Sequence, residues 1–175
     1  MLYAIGYVAT AWLLADLASG VAHWWEDRYS RPEWPIVGPL ISAPNLRHHR
    51  KPLAMLDSPA WLRSSTTAPP AAVLGLCLWL LLGSGPWLLA CVFLAAANEV
   101  HAMQHRPNPG RIVRAAQATG IIQGREAHAA HHRPPHLAGY CVLSCWANPI
   151  LDGLGAWRAA EWLIARVAGI HPARN

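Results

Sequence analysis

The sequence predicts an all-α integral membrane protein, with about three apolar membrane helices beneath a cytoplasmic cap of His-rich helices. Three observations carry that expectation. Of the 175 residues, 54% are hydrophobic and only 13% are charged, a balance unlike that of a water-soluble domain. The histidines fall in short groups, at His23, at His48 and His49, at His101 and His105, and at His128, His131, His132 and His136, leaving only His171 apart. All 14 Lys and Arg residues lie either between His23 and Ala68 or after His105. A chain of this length is expected to form one domain over residues 1–175.

The first membrane helix is expected over residues 2–22, LYAIGYVATAWLLADLASGVA, which matches the ~20 apolar residues a bilayer requires. No basic residue precedes it and the apolar run continues into HWW, so a retained span is expected and not a signal peptide. Its one charge is Asp16. With Gly20, His23 and Asp27 it recurs at helical spacing and falls on one face. An acidic group at that depth is costly and is therefore a functional candidate.

Residues 23–68 form a polar connector with the element PNLRHHRKP, where Asn45 suits a helix cap. A second apolar block follows. Gly83-Ser84-Gly85-Pro86 cuts it into arms at about 70–83 and 86–105, since Gly and Pro together punctuate structure and Pro suits a first helical turn. The first arm, at about 21 Å, is shorter than the ~30 Å hydrocarbon core. The basic residues then place 23–68 and 106–175 on the cytoplasmic face, by the positive-inside rule. The expected localisation is thus integral and multi-pass, with the histidine groups on the cytoplasmic side.

Beyond the Pro107-Asn108-Pro109-Gly110 loop, residues 111–132 read as a helix with a weak point at Gly120 and Gly124, ended by Pro134-Pro135. Residues 140–151 are apolar but too short to span. Residues 154–168 are amphipathic, with Trp157, Leu163, Ile164 and Val167 on one face and Arg158, Glu161 and Arg166 on the other, as in a helix lying on a membrane surface. Cys77, Cys91, Cys141 and Cys145 show neither zinc-ribbon spacing nor a disulfide framework and are expected to be free thiols.

The histidine spacing carries the chemistry. His101 and His105 stand four apart, and His128 shares a helical face with both His131 and His132. Buried histidines in such numbers would each need a partner for a ring N–H. One zinc needs three or four ligands, so this many histidines fit two ions. Imidazole suits iron, zinc and copper alike. A His-rich two-iron centre at a bilayer surface suits oxygen chemistry on lipid chains, since no side chain supplies an oxidant able to break an unactivated C–H bond. A zinc-dependent membrane hydrolase would use three histidines and a metal-bound water, leaving the others idle. Haem wants one His on each of two facing helices, which HxxHH fits poorly.

The runs DLASGVAHWWED, HHRKP, NEVHAMQH, HAAHH and PHLAGYCVLSCWANPILD, in this order and spacing, resemble the lipid desaturase family. Its members include plasmanylethanolamine desaturases and the plastid phosphatidylglycerol desaturase. The likeness runs from about Asp16 to Trp162. It implies an integral membrane enzyme with two iron ions that uses O2 and external electrons. It marks His23, His48, His49, His101, His105, His128, His131 and His132 as the iron ligands, with His136 matching a further family histidine. His136, Asp16, Asp27, Asn98 and Asp152 are expected either to supply a further ligand or to orient the ligands, with Asn148 and Asp152 also expected to fix the tail element. The implied reaction is desaturation of a membrane glycerophospholipid chain near its headgroup. Plasmanylethanolamine going to plasmenylethanolamine comes first, and an acyl chain of phosphatidylglycerol is the alternative. No G-x-G-x-x-G follows a predicted strand and there is no haem-attachment motif. Electrons are therefore expected from an acidic donor such as cytochrome b5 or a ferredoxin, drawn to the basic face. Nucleic acid is not an expected partner, because the basic residues follow membrane topology.

Overall fold

The computed structural model describes residues 1–173, and the secondary structure of these described residues is helical throughout. The first helix, α1 (Leu2–Arg28), does not stop at residue 22. It continues for 27 residues, about 40 Å at 1.5 Å per residue, and carries His23 and Asp27 on its last turns. It is the one described helix that by itself is long and apolar enough to cross a membrane. Ile5, Val8, Leu13, Leu17 and Val21 lie on its exposed side, whereas Ala11, Ala15, Asp16, Ser19, Gly20 and His23 are buried.

The connector is also helical. A π-turn (Gly38–Ser42) runs directly into α2 (Ala43–Arg50), which bears His48 and His49. A 3-10 turn (Pro52–Asp57) and the short α3 (Ala60–Ser64) follow. Next comes the apolar hairpin. Helix α4 (Ala68–Leu82) spans 15 residues, about 22 Å. It ends at Gly83, whose φ of 71° favours glycine, and the chain returns as α5 (Pro86–Ala95) packed between α1 and α4.

The second arm is not one straight helix. A bend of 48° separates α5 from α6 (Ala97–His105). Its cause is a contact from another helix's start: the Thr67 hydroxyl donates to the Ala95 carbonyl at 2.9 Å, inserting a side chain into the helical ladder. The bend turns His101 and His105 towards α2 and α8. The helix expected over 111–132 is likewise two pieces, α7 (Arg111–Ala118) and α8 (Arg125–His131), parted at the glycines Gly120 and Gly124.

The chain ends with α9 (Ala147–Gly153) and α10 (Ala156–Ala168). The docked face of α10 differs from the amphipathic expectation. Trp157 is buried, Ile164 packs beside it, and Glu161 points inward to hold Arg28 at 2.6 Å. Leu163 and Val167 are exposed. One half-buried acid–guanidinium pair thus turns the helix away from its hydrophobic pattern. The four cysteines are free.

Residues 140–144 cross the interior without forming a helix, and buried backbone groups must find partners. Side chains supply them. Asp16 accepts the Leu143 N–H at 2.9 Å and the Ser144 hydroxyl at 2.5 Å. Ser19 accepts the Val142 N–H at 3.2 Å, and Asn148 both accepts from and donates to Cys141 at 2.9 and 2.8 Å. The Gln104 amide donates to the Val142 carbonyl, and the Gln123 N–H to that of Leu143. This segment, α1, α5 and α6 enclose one apolar core around Ala15, Val100 and Leu143; Trp24, Tyr140 and Trp157 form a second.

Candidate metal centre

Four helices converge on one buried volume. Helix α1 brings His23 and Asp27, α2 brings His48 and His49, α6 brings His101 and His105, and α8 with the residue that follows it brings His128, His131 and His132. Their ligand atoms sort into two groups, each with all atoms within 4.8 Å of one another: His48, His101, His105, His128 and His132 in one, His23, Asp27, His49 and His131 in the other. The groups adjoin, with the rings of His49 and His132 5.0 Å apart and those of His23 and His101 5.7 Å apart.

Adjacent histidines are divided between the groups. His48 turns to the first and His49 to the second; His132 turns to the first and His131 to the second. Neighbouring helical residues point about 100° apart, so an HH pair serves two sites on either side of one helix. His128 therefore shares its site with His132, four residues on, and not with His131.

In the first group the Nε2 atoms face one another. His101 and His128 are 2.7 Å apart, His105 and His128 3.0 Å, His128 and His132 3.0 Å, and His48 and His101 3.2 Å. Two imidazole nitrogens bound side by side to one ion at about 2.1 Å would stand about 3.0 Å apart. Burial, followed by the neighbouring imidazoles, pushes His48 and His132 down to about 2 and holds His128 well below its usual value. These rings are neutral and present lone pairs.

In the second group the backbone fixes the tautomers. His23 Nδ1 lies 3.1 Å from the Tyr140 carbonyl, and His131 Nδ1 2.7 Å from that of Ala138. A carbonyl only accepts, so each Nδ1 carries the hydrogen and each Nε2 offers its lone pair. His23 Nε2, His131 Nε2 and Asp27 Oδ2 are buried and make no hydrogen bond, while Oδ2 lies 3.3 Å from His131 Nε2. Asn45 and His49 meet the other oxygen, Asp27 Oδ1, at 2.6 and 2.9 Å. Orphaned donors aimed at one volume fit a bound cation, and imidazoles with one carboxylate suit iron.

Residues 12–175 match the profile described as the lipid desaturase domain. The chain belongs to the lipid desaturase family. It is similar to Plasmanylethanolamine desaturase of Myxococcus xanthus, 28% identical over 96% of this chain and 63% of that protein. Plasmanylethanolamine desaturase 1 of Mus musculus is 29% identical over 96% of this chain and 67% of its own length. Fatty acid desaturase 4, chloroplastic, of Arabidopsis thaliana is 29% identical over 92% of this chain and 51% of its own. The chain thus spans less than two thirds of the Myxococcus and Arabidopsis proteins. No solved structure matches it.

In this lipid desaturase family member the other expected site residues belong to neither group. His136 rests its Nδ1 on the His131 carbonyl at 2.9 Å, with its ring 4.6 Å from that of His49. Asp16 braces residues 140–144. Asn98 donates to the Arg63 carbonyl at 2.9 Å and to the Thr66 hydroxyl at 3.1 Å. Asp152 accepts the Gly139 N–H at 3.1 Å and the Trp157 indole N–H at 3.1 Å. Ser19, Gln104 and Gln123 were not singled out by the sequence; a spacing of three from Asp16 and from His101 is the only signal for Ser19 and Gln104, and Gln123, outside any helix, has none.

A cavity of about 600 Å³ opens onto the centre. Helix α1 lines it with Ser19, Ala22, His23 and Glu26, one face at helical spacing, and α5–α6 with Leu94, Ala97, Asn98 and His101, another. His23, His48 and His101 stand at its wall, so the cavity meets a member of each group.

Proposed function

We propose that the chain is an O2-dependent, two-iron lipid desaturase that acts on a glycerophospholipid chain near its headgroup, first of all on the O-alkyl chain of plasmanylethanolamine. The supporting observation is the pairing of two adjoining ligand groups with a cavity that reaches both. His48, His101, His105, His128 and His132 would hold one ion, and His23, Asp27, His49 and His131 the other. Bound iron supplies the oxidising power that side chains lack. The protein's part is to keep the imidazoles neutral, fix their tautomers through residues 138–140, and confine the lipid chain against His23 and His101.

The reaction balances. The lipid gives up two hydrogens from neighbouring carbons, and two external electrons with two protons complete the reduction of O2 to two waters. An acidic electron donor of the cytochrome b5 or ferredoxin type suits the basic loops. The ligands lie at the ends of α1 and α6, so the attacked carbons are those near the glycerol. With α1, α4 and α5–α6 in the bilayer, the site faces the cytoplasm.

The test is expression in cells that contain alkyl-ether phospholipid and lack plasmalogen, with a His131→Ala control. Acid-labile vinyl ether is expected only with the intact protein and only in air. A new double bond in ester-linked chains of phosphatidylglycerol would transfer the assignment to that substrate, and neither product from an iron-loaded protein would refute the reading.

A further inference from the structure

Glu26 is the anomaly of the cavity. Six acidic side chains are not exposed to solvent: Asp16, Glu26, Asp27, Glu99, Asp152 and Glu161. Five of them have partners, including Arg63 on Glu99 at 2.7 Å and Arg28 on Glu161 at 2.6 Å. Among the described residues the Glu26 carboxylate makes no hydrogen bond and no ion pair, and it belongs to neither ligand group. It is nonetheless set on the cavity face of α1, three residues past His23 and four past Ala22. Glu26 is half-buried and its oxygens are not sealed from solvent, so the carboxyl group opens into the cavity without a partner from the protein.

The same cavity wall holds two guanidinium groups of different standing. Arg63 is tied to both oxygens of Glu99, at 2.7 and 2.8 Å, and its charge is answered. Arg47 has no acidic partner. The cavity wall therefore carries a half-buried carboxyl group and an exposed guanidinium, neither with a protein partner, while Leu40, Met55, Leu62 and Leu94 line much of the rest. A ligand that satisfies this pattern is an apolar chain ending in a zwitterion, with phosphate for Arg47 and ammonium for Glu26.

From this, and resting on the desaturase reading above, we infer that Glu26 is a specificity-determining residue that selects phospholipids with an ammonium-bearing headgroup, Arg47 taking the phosphate. A glycerol headgroup offers Glu26 no cation to hold it ionised. Ethanolamine gives three N–H donors to the carboxylate. A site built around a buried polar group rejects ligands that leave it unpaired.

The experiment uses the full chain reconstituted in nanodiscs of equal parts phosphatidylethanolamine and phosphatidylglycerol, then re-extracted in mild detergent. Mass spectrometry measures the lipids retained. Wild type is expected to retain the ethanolamine lipid over the glycerol lipid by about tenfold, the size of one charge-assisted hydrogen bond. Glu26→Gln should bring the ratio close to that of the nanodisc, Glu26→Asp should keep most of the preference, and Arg47→Ala should lower retention of both lipids. No enrichment in wild type, or the wild-type ratio in Glu26→Gln, would overturn the inference. Turnover in nanodiscs whose ethanolamine lipid is the alkyl-ether form, supplied with O2, ferredoxin and a reductant, separates the two readings: enrichment with no new double bond counts against desaturation alone, and a new double bond with a headgroup preference indifferent to Glu26→Gln counts against this site alone.

Discussion

Asp16 Oδ1 accepts the backbone N–H of Leu143 at 2.9 Å, across 127 positions of chain. The bond explains an acid in the middle of an apolar helix. Residues 140–144 lack a helix or ladder of their own, and Asp16 with Ser19 stands in for one. The same segment supplies the Tyr140 carbonyl that sets the tautomer of His23. Asp16 thus acts on the centre through the backbone it positions.

Asp16→Ala should therefore destabilise the protein and loosen the centre. Removing the carboxylate leaves the Leu143 N–H and the Ser144 hydroxyl without partners, at a cost of about 3 kcal/mol. Asp16→Asn keeps one acceptor and should lose less. Thermal unfolding in detergent with iron analysis checks this: both stability and iron content are expected to fall in the order wild type, Asn, Ala. An Ala variant as stable as wild type would remove Asp16 from this role.

The division of the ligands predicts separable metal loss. His101→Ala and Asp27→Ala should each bring iron from about two to about one per chain and abolish turnover, because each removes a ligand from a different group. His136→Ala should retain both irons, since His136 lies in neither group. Equal iron loss from all three variants would contradict the partition.

Much of the centre was legible in the sequence. The spacing of His101 and His105, and of His128 and His132, aims side chains one helical turn apart at one point, and the profile match confirms the family to which that order of groups belongs. The long apolar α1 and the turn at Gly83 were legible for the same local reason. What escaped depends on contacts distant in sequence. Asp27 read as either a further ligand or a residue that orients ligands, and only the approach of His49 and His131 from α2 and α8 sets it among the second group. The bend at Ala96 needs Thr67, 28 positions from its acceptor, and the inward turn of Glu161 needs Arg28, 133 positions away. Periodicity carries no record of either pairing.

Charge placement predicts the topology. With basic residues confined to the connector and the region after His105, Lys51 and Arg133 should lie on one side of the membrane and Ser84 on the other. Single cysteines at these positions, in a chain whose four native cysteines are replaced, would be labelled by an impermeant maleimide. Labelling of positions 51 and 133 from opposite sides would refute the arrangement, since both flank histidines of one centre.

The cavity predicts a defect in turnover without a defect in metal. Ala22 lines it beside His23 and belongs to neither ligand group. Tryptophan there would fill space that a lipid chain must enter to lie against His23 and His101, yet it would touch no iron ligand's hydrogen bond. A displacement of about 1 Å at the reacting carbons is enough to cost about a hundredfold in rate. Ala22→Trp is therefore expected to lower turnover by about tenfold or more, with iron content and thermal stability close to wild type, and Ala22→Leu to fall between. A smaller chain should partly restore the rate, because the lost volume is then less limiting. If Ala22→Trp turned over lipid at the wild-type rate with full iron, the substrate would have to reach the centre by another face of α1.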